Sequence, residues 1–198
     1  RRRRLSHEVP DDGGLFQRVV LDKLERLWEV DGEAIDYEPP AERSIAAQAR
    51  SRGVDAMEIL VDQLTSADGN GMVYAPFFNY SYGDLSMTHD ALVHPRTRLG
   101  LSDAGAHCGA ICGGGMPTFM LTHWVRDRTR GPLLTLESVV RGQTAETASL
   151  YGLCDRGIIA PGMKADINVI DLDRLGFEVP RMVFDLPAGG RRLVQRGR

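Results

Sequence analysis

The spacing of apolar residues changes once along the chain, and that change limits the fold more than any other feature. Up to Gly152 most apolar residues recur at helical spacing, interrupted by Pro and Gly; beyond Cys154 the helical period disappears. LFQRVVLDKLERLWEV (15–30) places Leu15, Phe16, Val19, Val20, Leu24, Leu27 and Trp28 on one helical face, with Asp11 and Asp12 upstream as caps. EPP at 38–40 breaks the chain. SIAAQARSRG predicts a helix between a Ser44 N-cap and a Gly53 stop. DAMEILVDQL follows, with Asp55 and Glu58 at capping-box spacing.

GMVYAPFF (71–78) and RLGLS (98–102) read as short buried strands, with a brief helix from Ser86 to Val93 between them. PTFMLTHWVRDRTR (117–130) predicts a helix opened by Pro117 and ended by Gly131-Pro132. TLESVVRGQT and TAETASLYG predict two more. In RGIIAPGMKADINVIDL, Ile167 and Val169 alternate with polar neighbours, and MVFDL and RRLVQR are further strand candidates. The reading is therefore α/β with parallel pairing over 1–152, then a β-rich segment over 153–198. Two visible strands are too few for a closed barrel, which takes ~250 residues. A barrel here is part of one.

Bulk properties narrow the function. A net charge of −3 does not describe a general nucleic-acid binder, and the Arg1–Arg4 run reads as a solvated terminus. No apolar run is long enough to span a bilayer, and no signal-peptide core opens the chain. Three cysteines, Cys108, Cys112 and Cys154, fit a reducing cytoplasm better than a disulfide framework.

The chemistry concentrates in RLGLSDAGAHCG (98–109). Asp103 ends an apolar run, and Gly105 and Ala106 leave room beside it. In parallel α/β folds the strand C-termini carry the active site. A carboxylate there suits zinc or a similar divalent ion and can accept a proton from an attacking water. On spacing alone, the reading in which Asp103 caps the turn that follows it is the stronger. His107 lies in the same loop and could bind a substrate carboxylate or stabilise an oxyanion; a histidine that only supports the loop is the alternative. Cys108 and Cys112 with His107 and His123 invite a zinc knuckle, but the spacing is C-x₃-C and the stretch from Gly109 to Gly115 reads as flexible. GLSDAG misses the nucleophile-elbow spacing by one residue, and GGGMP lacks the Lys-Ser/Thr of a phosphate loop. His123 and Trp124 read as packing residues.

LGLSDAGAH, MPTFMLTHWVRDR and TLESVVRGQTAETASLYGLCDRGIIAPGMKADINVIDL together resemble the C-terminal third of an N-acyl-D-amino-acid deacylase, the D-aminoacylase branch of the metal-dependent amidohydrolases. The resemblance is densest from Phe78 to Gln195. GIIAPGMKADINVI is similar to the turn by which these enzymes leave the barrel for a small β-sandwich. The resemblance implies the C-terminal part of a (β/α)₈ barrel (1–152) followed by part of a β-sandwich (153–198). It implies zinc, or another divalent metal, at the barrel mouth, with Asp103 as metal ligand and proton shuttle. His107 stands where related cyclic amidases carry a second histidine near the substrate. FNYSYG (78–83) would end the seventh strand, so that Asn79 and Tyr80 face the substrate, a small-molecule N-acyl amino acid.

The family's H-x-H metal pair does not occur in these residues. The expectation is therefore a piece of a longer enzyme, binding metal poorly and inactive alone, with exposed barrel edges that favour self-association. Two alternatives stand beside the linear-amide hydrolase: a hydantoinase-like hydrolase of cyclic amides, and a non-enzymatic binding or assembly module derived from the same fold.

Overall fold

A computed structural model describes residues 23–30, 35–76, 78–100, 102–104 and 108–197. The chain forms two compact units, the first ending at Leu85 and the second starting at Ser86. The change of pattern near residue 152 thus falls inside the second unit.

The first unit is built around Leu27, Ile45, Ala49, Ile59 and Leu60. Helix α1 (Ile45–Arg52) begins where the Ser44 hydroxyl accepts from the Ala47 N–H at 3.2 Å. It ends on Gly53, whose φ of 67° is the left-handed cap that glycine takes without a Cβ clash. Both ends match the sequence expectation. Helix α2 (Ala56–Gly69) opens on Asp55, whose carboxylate accepts from the Met57 N–H at 2.9 Å. Its regular turns finish before Ser66, because Ala67 and Asp68 carry positive φ.

Strand β1 (Trp28–Val30) pairs antiparallel with β2 (Met72–Tyr74), Trp28 facing Tyr74 and Val30 facing Met72. The Gln63 side-chain amide ties α2 to this ladder by donating to the Val30 and Met72 carbonyls at 2.9 and 2.8 Å. The helix expected over 15–30 is therefore corrected in its described part. Leu24–Arg26 form one 3-10 turn and Trp28–Val30 a strand, because a non-local partner outweighs the helical period. Residues 15–22 lie outside the described residues.

The EPP break is a strap held by aromatic donors. The Tyr74 hydroxyl donates to the Tyr37 carbonyl at 3.3 Å, Tyr80 to Pro39 at 2.6 Å, and the Trp28 indole N–H to Pro40 at 2.9 Å. Trp28 meets Tyr80, and Tyr37 meets Tyr74, edge to face at 5.7 Å. Between them the buried Glu38 carboxylate accepts from the Leu85 N–H at 2.8 Å. Extended Pro residues leave carbonyls without helix or sheet partners, and burial makes those partners obligatory.

Burial pushes the Tyr74 phenol well above its ordinary value. A raised folded-state value means the unfolded chain releases this proton first. The stability it contributes is full below about pH 10 and falls as pH rises through the window above it. Alkaline unfolding followed by circular dichroism should show a decline above pH ~10 that is shallower in Tyr74→Phe.

In the second unit, helix α3 (Ser86–Val93) stands where expected. Helix α4 (Met116–Phe119) runs directly into wider π-type turns over Met120–Asp127, with Pro117 in its first turn. Trp124 is buried; His123 stacks on Phe119 at 4.7 Å, and the Arg128 guanidinium lies 4.9 Å from the Trp124 ring centre. Both residues pack, as the sequence suggested. Thr135 caps helix α5 (Leu136–Arg141), accepting from the Ser138 N–H at 3.2 Å. α5 continues through π-type turns at Gly142–Glu146 into α6 (Thr147–Leu150), so the two expected helices are one run. Gly152, at φ 70°, follows it.

The two strand candidates near the end of the chain are strands, β3 (Arg181–Leu186) and β4 (Gly190–Val194); they pair as an antiparallel hairpin, braced by a two-pronged Arg192–Asp185 pair at 2.8 and 2.7 Å. Two expectations are corrected here. RLGLS is not a strand: residues 98–100 and Ser102 are irregular, and Leu101 lies outside the described residues. Both ladders among the described residues are antiparallel, not parallel. A parallel strand needs neighbours to take its backbone groups, and among the described residues none runs beside this segment. Residues 165–171 likewise form no strand, and Val169 is 97% exposed. Among the described residues no helix is long and apolar enough to cross a membrane.

Candidate functional site

Asp103 is exposed on the loop after the apolar run, at φ 49°. Asp is one of the few residues with a Cβ that enters the left-handed region readily. The Ser102–Asp103 backbone passes close against Gly113. A Cβ at that position would lie 1.8 Å from the Ser102 carbonyl oxygen and 3.0 Å from that of Asp103. Glycine is the residue that allows this approach of two backbones. The stretch expected to be flexible contains an ordered 3-10 turn, Gly113–Gly115, leading into α4.

The following segment is fastened to the outer edge of β4. The Leu193 N–H donates to the Cys108 carbonyl at 2.6 Å, and the Cys108 sulfur lies 3.9 Å from the Arg191 carbonyl oxygen. Sequence reasoning singled out Asp103 but not Gly113 or this edge contact. A run of three glycines before a helix was the available signal.

His107 lies outside the described residues. Asn79 is exposed at φ 62°, another left-handed position that Asn tolerates. Tyr80 is buried at 1% exposure, and its hydroxyl donates to Pro39. Its ring and hydroxyl hold the turn from which Asn79 projects. Asn79 and Tyr80 belong to the first unit and Asp103 to the second.

The described residues do not by themselves fit a metal. No three His, Cys, Asp or Glu among them come together as a binding group, whereas zinc normally takes at least three protein donors. Cys108, Cys112 and Cys154 are free. Burial pushes the Cys112 thiol up, away from the thiolate that binds metal.

The chain belongs to the amidohydrolase family, whose match covers residues 17–192. That family is one of hydrolases, and its domain implies an α/β fold of the TIM-barrel type. No curated protein matches the chain, and no solved structure does.

The contact beneath Asp103 gives a direct expectation. Gly113→Ala forces the Ser102–Asp103 backbone to move, since backbone and not a flexible side chain blocks the new methyl. Thermal unfolding should show a loss of about 1–3 kcal/mol. Gly114→Ala, whose Cβ would only touch Ala104 at 3.9 Å, should cost less than about 1 kcal/mol.

Proposed function

We propose that the chain is part of a hydrolase that cleaves the amide bond of N-acyl-D-amino acids, with Asp103 as its proton-transferring carboxylate. The observation that carries this reading is the family match across Asp103, together with its left-handed, solvent-facing loop position, packed closely against Gly113. Asp103 accepts a proton from water as the water oxygen bonds to the acyl carbon. It returns that proton to the nitrogen as the C–N bond breaks, releasing a carboxylic acid and a free amino acid. Asn79 and His107 orient the substrate, and Tyr80 keeps the Asn79 turn in place. Since no three donors come together among the described residues, the reading requires further zinc or divalent-metal ligands from outside them. Three free thiols agree with a reducing compartment such as the cytoplasm.

The dispersed donors equally favour a second reading, a binding or assembly module without activity. A substrate panel separates the readings. A form of the protein with a full donor set should release amino acid from N-acyl-D-amino acids faster than from the L-enantiomers or from hydantoins. Faster opening of hydantoins would move the assignment to cyclic amides. No turnover of any of them would leave the module.

A further inference from the structure

The second unit holds a cleft of about 610 Å³ that no part of the reaction above uses. Its floor is apolar: Leu92, Leu99, Met120, Leu134 and Val139 line it, and Met120 and Val139 are buried. Its charged groups are Arg98, Glu137, Arg141 and Glu146. The pairing among these four is uneven. Glu146 holds both arginines, its Oε1 at 3.0 Å from Arg141 Nε and its Oε2 at 3.7 Å from Arg98 Nε.

Glu137 and Arg141 stand at the i,i+4 spacing that ordinarily forms a helical ion pair. Arg141 turns to Glu146 instead, and among the described residues Glu137 has no cationic partner. The two terminal nitrogens of Arg141 likewise take no hydrogen bond there. One turn of α5 thus presents an open carboxylate and open guanidinium nitrogens beside an apolar floor.

We propose that this cleft binds a zwitterionic dipeptide with apolar side chains. Its ammonium would meet Glu137, its carboxylate Arg141, and its side chains the floor. A carboxylate, a guanidinium and apolar side chains lining one cleft call for a ligand that carries an ammonium, a carboxylate and apolar groups on one short backbone, which a dipeptide does. The cleft volume lies in the range of small-molecule sites. The proposal stands on the cleft alone and is independent of the hydrolase reading.

Titration calorimetry of this chain with Leu-Leu dipeptide tests it. One saturable site is expected, with Kd on the order of 1 mM or tighter. Acetylating the peptide amine or amidating its carboxylate should each weaken binding at least about fivefold. Glu137→Gln should weaken the free peptide while leaving the acetylated one unchanged, and Arg141→Gln should do the same for the amidated one. Both side chains are exposed, so the variants keep the fold, which circular dichroism checks. Absence of saturation up to roughly 20 mM, equal binding of the blocked peptides, or full affinity in Glu137→Gln would each overturn the proposal.

Discussion

Asp103→Asn is expected to lower kcat for N-acyl-D-amino acid hydrolysis by about 10²–10⁴-fold, while the melting temperature moves by less than about 2 °C. The amide keeps the shape of the side chain and its tolerance of the left-handed conformation, so the loop keeps its conformation. On the proposed reading, what is lost is the ability to accept a proton from water and return it to the departing nitrogen. Because Asp103 is exposed, the substitution opens no buried cavity. Initial rates at saturating substrate, with a parallel melt, separate this from a folding defect. A variant that retains rate, or that melts well below the parent, would remove Asp103 from the chemistry.

Tyr80→Ala is expected to have the largest effect on stability, with a loss of about 3–5 kcal/mol in the first unit. The ring is buried against Trp28 at 5.7 Å, so its removal leaves a cavity. The same substitution strips the Pro39 carbonyl of its donor at 2.6 Å, and proline segments have no ladder to replace it. Tyr80→Phe isolates the second effect: the ring remains, the carbonyl loses its partner, and the loss should be about 1–3 kcal/mol. Denaturant unfolding of the two variants measures both. If Tyr80→Ala costs less than Tyr80→Phe, the strap is not what Tyr80 supports.

What could be read from the sequence follows the range of the interactions involved. The ends of α1 were legible because Ser44 and Gly53 act on backbone groups within a few residues. The strands β3 and β4 were legible as short apolar runs, while their pairing across the turn at Pro187–Gly189 came from the structure. Trp28–Val30 was misread because its strand partner lies more than forty residues away at Met72–Tyr74, and the intervening helical periods look alike. Residues 98–102 have the composition of a strand but no neighbouring strand among those described, and composition alone does not supply hydrogen-bond partners.

At the candidate site the division is similar. Asp103 announced itself as a carboxylate ending an apolar run, whereas Gly113 became informative only when its distance from Ser102 was known. Tyr80 and its neighbour Asn79 looked equivalent in FNYSYG. Burial separates them, turning one ring inward onto the Pro39 strap and leaving the other side chain in solvent.

The family assignment and the dispersed donors meet at one question, whether Asp103 shares a divalent ion with ligands beyond the described residues. Metal content per chain, measured by elemental analysis on an active form of the protein and on its Asp103→Ala variant after identical dialysis, addresses it most directly. The account predicts about one to two bound ions in the active form and a clear fall in the variant. Equal metal content in the two proteins, or an active form that holds none, would contradict it.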